Sequence, residues 1–190
     1  MQEAGARHKP SHLGSHADHP PSASDNLVRP RPDPVGPGQE SVWAYPRPAI
    51  AEPTARHIVL ARGGATIADT RAAVRTLETS HPPTYYLPPD DVARARLIAS
   101  DHRSFCEWKG VASYWHLDTL EGRLANVAWS YPDPTPAFRA LADHLAFYAR
   151  PFEATVDGVS VTPQPGGFYG GWITPDLGGP FKGVPGSRFW

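Results

Sequence analysis

Lysine is scarce in this chain, standing only at Lys9, Lys109 and Lys182, while arginine supplies the rest of the Lys and Arg charge. Lys109 lies inside an aromatic run, Phe105-Cys106-Glu107-Trp108-Lys109-Gly110, so its identity is a choice and not a habit of the composition. A lysine can shed its proton when buried and act as acid, base or nucleophile, which an arginine cannot do. Glu78 ends an apolar stretch and is the natural carboxylate partner for it, and partial burial there would raise a carboxyl toward general-acid range. Glu107 stands two residues from Lys109 and, on a strand, would share its face. His81, held by Pro82-Pro83, adds a group able to shuttle a proton. Lys109, Glu78, Glu107 and His81 are therefore the candidate catalytic set.

The candidate ligand-binding set is aromatic: Tyr85, Tyr86, Trp108, Trp129, Tyr131 and Trp172, together with Cys106. Tyrosine and tryptophan combine apolar area with a polar handle, which suits a pocket wall as well as a core. Strand alternation puts Cys106 on the face opposite Lys109, where an unpaired thiol packs as a small hydrophobe. One cysteine and scattered histidines cannot assemble a structural zinc site, so no metal is expected, and no motif calls for a cofactor.

These residues need elements to hold them. Residues 1–40 are rich in Pro, His, Ser and Asp and poor in large apolar side chains, which predicts a disordered tail before one domain over 41–190. His8, His12, His16 and His19 recur within it as a flexible polar tract. Residues 57–61 and 66–68 read as a hairpin turning at Gly63-Gly64. Residues 73–78 and 84–87 read as strands around Ser80-His81-Pro82-Pro83, and a short helical turn follows Pro88-Pro89-Asp90-Asp91. The run 105–117 reads as one central strand bulged at Gly110, returning through Glu121-Gly122 into 124–131. Thr135, Pro136 and the spacing of Phe138, Leu141, Leu145 and Tyr148 predict an α-helix. A second hairpin turns at Asp157-Gly158. The Gly/Pro-rich stretch 163–190, which contains Gly166-Gly167-Phe168-Tyr169-Gly170-Gly171, wraps the core as ordered coil.

The fold class is thus mainly β, with antiparallel sheets and one short α-helix. A formal net charge of -1 supplies no basic face for a nucleic acid. No apolar run is long enough for a membrane span or for the core of a signal peptide. With one cysteine, a reducing cytoplasmic setting is the expectation.

The Trp108-Lys109-Gly110 core, with Ala112 and Tyr114, resembles a known bacterial family, domain of unknown function 427. Gly64-Ala65-Thr66-Ile67-Ala68-Asp69, Glu78, Tyr85-Tyr86-Leu87-Pro88 and Ala128-Trp129-Ser130-Tyr131-Pro132 extend the resemblance over about residues 55–158. It implies a β-tent architecture, similar to methionine sulfoxide reductase B and the thalidomide-binding domain of cereblon. Those relatives hold zinc with cysteines, which Cys106 alone cannot do. The nucleotidyltransferase label attached to the family finds no Asp-x-Asp or Glu-x-Glu pair here to grip Mg²⁺. A site built from Tyr45-Pro46-Arg47-Pro48 or the Gly-rich C-terminal stretch would belong to a subgroup of the family.

The expected function is a small-molecule binding module, an aromatic cleft anchored by Glu78 and Lys109. Two rivals stand beside it: an enzyme using that pair for acid/base chemistry on a small metabolite, and a scaffold working through the Pro-rich tail. Phe181-Lys182-Gly183 echoes Trp108-Lys109-Gly110, an echo with no physical account at the level of sequence.

Overall fold

The computed structural model describes residues 29–190, so the histidines of the expected tail lie outside the described residues. Short strands punctuated by Gly and Pro dominate, as the composition demands. They run β1 Glu40–Ser41, β2 Ile50–Thr54, β3 Ile58–Arg62, β4 Ala65–Thr70, β5 Ala73–Leu77, β6 Thr84–Leu87, β7 Leu97–Cys106 and β8 Gly110–Thr119. After these come β9 Gly122–Ser130, β10 Leu145–Phe147, β11 Glu153–Val156, β12 Val159–Ser160, β13 Thr162–Pro163, β14 Trp172–Ile173 and β15 Leu177–Gly178.

Seven of them form one antiparallel sheet in the order β2-β5-β6-β10-β9-β8-β7, and a four-stranded antiparallel sheet runs β12-β11-β3-β4. Both hairpins read from glycine turns are present: β3 pairs β4 around Gly63-Gly64, and β11 pairs β12 around Asp157-Gly158. The chain is mainly β.

Alternation along the strands of the large sheet separates two cores. Tyr85 and Leu87 of β6, Ala128 of β9 and Phe147 of β10 face the core that includes Ile58 and Leu60 of the four-stranded sheet. Tyr86, Trp129 and Ala146, one residue along on the same strands, face a second core with Tyr114, Tyr131 and Phe138. Neighbouring tyrosines on β6 therefore serve opposite sides of the sheet.

Three expectations are corrected. The run 105–117 is not one strand: β7 ends at Cys106, Glu107-Trp108-Lys109 turn, and β8 leaves from Gly110, with Cys106 paired to Gly110. Gly110 takes φ +97, a conformation that glycine adopts without steric cost, so it closes a hairpin and does not mark a bulge. The α-helix is absent as well. Residues Pro136–Leu141 form 3-10 turns broken at Phe138, and Asp143 at φ +62 turns the chain into β10. Phe138 and Leu141 are three apart, the period of a 3-10 turn, and both are buried.

The third correction concerns residues 29–40, read as the end of the tail. The Asp33 N–H donates to the Gly179 carbonyl at 2.8 Å, the Glu40 N–H donates to Asp176 O at 2.8 Å, and β1 pairs in parallel with β15. Glu40 also accepts from the Tyr45 hydroxyl at 2.6 Å and from the Arg75 guanidinium at 3.0 Å. This segment and the C-terminal wrap hold each other against the domain, around a third small core of Val42, Trp43 and Leu177.

Candidate functional site

A cavity of about 240 Å³ opens on the Tyr86 face of the seven-stranded sheet. Its floor is aromatic because β6, β8 and β9 each present a ring there by alternation: Tyr86, Tyr114 and Trp129, followed by Tyr131 just beyond β9. The Trp129 Nε1–H donates to the Tyr86 hydroxyl at 3.4 Å. Burial pushes the Tyr86 phenol well above its ordinary value, although nearby Lys109 pulls it the other way. At neutral pH it is an uncharged donor and acceptor.

The hairpin turn between β7 and β8 forms one wall. Thr135 fixes that turn, its hydroxyl donating to the Trp108 carbonyl at 2.6 Å and its N–H to the Lys109 carbonyl at 3.2 Å. Anchored in this way, Trp108 donates its indole N–H to Glu78 Oε1 at 3.2 Å, and the Lys109 ammonium lies 5.7 Å from the centre of the Phe138 ring. Burial works to lower the Lys109 pKa, but its interactions with Tyr86, Cys106 and Glu78 outweigh it and hold the ammonium above its ordinary value. Lys109 stays a cation at neutral pH.

The structure therefore brings Glu78, His81, Cys106, Glu107, Trp108 and Lys109 to one cavity, with Tyr86, Trp129 and Tyr131 as its floor. It does not make Glu78 and Lys109 an ion pair, since among the described residues neither appears in any. Glu107 sits at the rim and faces Arg47 at 3.8 Å, both side chains largely exposed. Cys106 is not turned away from Lys109: the hairpin turn brings both to the same cavity. Tyr85 and Trp172, expected on the wall, are each 1% exposed in the opposite core, where the Trp172 indole donates to Phe147 O at 2.9 Å.

His81 is fixed from behind. The Gly171 N–H donates to Gln164 Oε1 at 3.0 Å, which sets the orientation of that amide, so Gln164 Nε2 donates to Lys182 O at 2.9 Å and to His81 Nδ1 at 3.1 Å. An accepting Nδ1 in a neutral imidazole leaves the proton on Nε2. Burial, then the charges of Lys182, Lys109 and Arg47, push the His81 pKa down to about 3, so the ring is neutral across the ordinary pH range.

Among the wall residues outside the candidate sets are Arg47, Gln164, Tyr169 and Lys182. Lys182 carried a signal, as one of three lysines within an echo of the Trp108-Lys109-Gly110 motif. Its ammonium lies 5.9 Å from the Tyr169 ring centre and donates to the main-chain oxygen of Trp190 at 3.0 Å. Arg47 and Tyr169 fell in stretches singled out only as parts of a subgroup-specific site, and Gln164 carried no signal, because all three reach the cavity only through the path of the coil. Gly170 lies flat on Trp129, where a Cβ would overlap the indole ring, and Tyr148 donates its hydroxyl to the Phe168 carbonyl at 3.1 Å. These two contacts hold the strap in place over the floor.

The family model for Domain of unknown function (DUF427) matches residues 50–158, more than half of the chain. The chain belongs to the DUF427 family. No curated protein matches it. The DUF427 region supplies the floor, the Trp108-Lys109 turn, Glu78 and His81, whereas Arg47, Gln164, Tyr169 and Lys182 come from the flanks. Among the described residues, no group of three or more His, Cys, Asp or Glu side chains is placed to hold a metal ion. No helix there is long and apolar enough to cross a membrane.

Proposed function

We propose that this DUF427 protein is a small-molecule binding module, with its ligand seated on the aromatic floor and Glu78 and Lys109 as polar anchors on the wall. One observation carries the reading: segments far apart in the sequence converge on a single concave, ring-floored cavity holding both a carboxylate and an ammonium. Such convergence is the usual form of a ligand site.

Acid/base catalysis with the same residues has less support. A proton-transfer group works best when it titrates near the working pH, yet His81 is driven down to about 3 and Lys109 upward. Both suit fixed donors better than shuttles. An unpaired Cys106 in the wall fits a reducing, cytoplasmic setting.

Native mass spectrometry of the protein isolated from its source cells tests the reading. The expected result is a retained small-molecule mass that disappears in Trp129→Ala, with the fold checked by circular dichroism. A bare mass, joined to no melting shift across a metabolite library, would overturn it.

A further inference from the structure

We infer that the ligand is a compact organic anion, its oxyanion head received between Lys109 and Lys182 beside the His81 N–H and its planar body laid against the aromatic floor. This rests on the binding reading above and adds the charge class.

The charge of the wall is the first argument. Arg47, Lys109 and Lys182 stand against Glu78 and Glu107, an excess of one positive charge. The carboxylates are also partly committed elsewhere, Glu78 to the Trp108 indole at 3.2 Å and Glu107 to Arg47 at 3.8 Å. Neither lysine has an ion-pair partner among the described residues. Glu78 lies near enough to favour the charged form of each, yet neither ammonium has a direct counter-charge, and an anionic ligand between the two would supply one.

The histidine is the second. His81 lines the same cavity as both lysines, close enough for each to disfavour its protonated form. Held neutral with the proton on Nε2, it offers an N–H donor that has no partner among the described residues. Two ammoniums and one neutral N–H form a donor set for an oxyanion and present nothing to a cationic head.

The origin of the charges is the third. The DUF427 region supplies Lys109, Glu78 and Glu107, a net negative wall, and the flanks add Arg47 and Lys182, which reverse the sign. The preference for an anion therefore belongs to this chain's flanks, and the floor to the family.

Four probes separate the outcomes, measured on the full chain by ligand-observed NMR and calorimetry: benzoate, phenyl phosphate, benzamide and benzylamine. The expected result is binding of benzoate or phenyl phosphate at least ten-fold tighter than benzamide, weakening as salt rises. Benzoate against phenyl phosphate distinguishes a carboxylate head from a phosphate head. Lys182→Met and Lys109→Met should each cost the preferred anion ten-fold or more and leave benzamide unchanged, while Lys182→Arg retains most of the affinity. Equal or tighter binding of benzamide or benzylamine would overturn the anionic class and leave the binding module standing. If none of the four bound and no compound co-purified, both would fall.

Discussion

The Trp108 indole N–H donates to Glu78 Oε1 at 3.2 Å, so the carboxylate is held by the hairpin turn and not by the neighbouring ammonium of Lys109. Lys109 and Glu78 share a cavity without touching. In a double-mutant cycle, Lys109→Met with Glu78→Gln should give a coupling below about 1 kcal/mol, whereas breaking a contacting buried pair costs roughly 3–5 kcal/mol. Chemical denaturation of the four variants measures it. A coupling of several kcal/mol would mean that the two groups close into a direct pair in solution.

Thr135 anchors both carbonyls of the turn that carries these groups. Thr135→Val keeps the shape of the side chain and removes its hydroxyl, leaving the Trp108 carbonyl without that donor. The expected loss is about 1 kcal/mol of stability, with a larger proportional loss of ligand retention because the Trp108-Lys109 turn is freed. Thermal melting and native mass spectrometry on the same samples check the two effects.

Acid should expose His81. Folded, its pKa is about 3; unfolded, it returns to the ordinary 6.5, so below 6.5 only the unfolded chain takes up the proton. Its contribution is fully present above pH 6.5 and is lost as pH falls through the window toward 3. Between pH 6.5 and pH 5 the loss is roughly 2 kcal/mol. Asp157, held low first by the His57 N–H and then by Arg56, acts in a lower window, beneath the ordinary carboxylate value of 3.8. His81→Gln should therefore flatten the pH dependence of the melting temperature between 5 and 6.5 and leave the part below 4 intact. The groups facing the ring are Lys109, Lys182 and Arg47, all cationic in that window.

Deletion of residues 1–28, too poor in apolar side chains to bury much surface, should leave the melting temperature unchanged. Deletion of residues 1–41 removes β1, the Asp33 bond to Gly179 and the Glu40 contacts with Tyr45 and Arg75. At about 1 kcal/mol for each lost hydrogen bond, the cost is on the order of 4 kcal/mol, or about 10 °C in melting temperature. Equal melting of the two truncations would mean that residues 29–41 contribute nothing to stability.

The hairpins at Gly63-Gly64 and Asp157-Gly158 were legible because a tight turn requires residues that accept positive φ, and the sequence spells them. The turn at Glu107-Trp108-Lys109 was not, because its one conformational marker, Gly110, also suits a bulge within a strand. The misread helix has a related cause. Phe138 and Leu141 lie three apart, Leu141 and Leu145 four apart, and that spacing alone does not separate an α-turn from a 3-10 turn that leads into a strand. The site was half visible. Glu78, His81, Trp108 and Lys109 stood out by residue type within regular elements, whereas Arg47 and Gln164 belong to coil whose course is set by tertiary contacts such as the seat of Gly170 on Trp129.

Tyr85 and Tyr86 are adjacent in the chain yet back onto separate cores. Substitutions on the Tyr86 side of the sheet can alter what the cavity accepts while the packing that the Tyr85 side shares with the four-stranded sheet is left untouched. On the binding reading proposed above, a laboratory library confined to alternate positions of β6, β8 and β9 would explore new specificities with its packing cost confined to the Tyr86 side of the sheet.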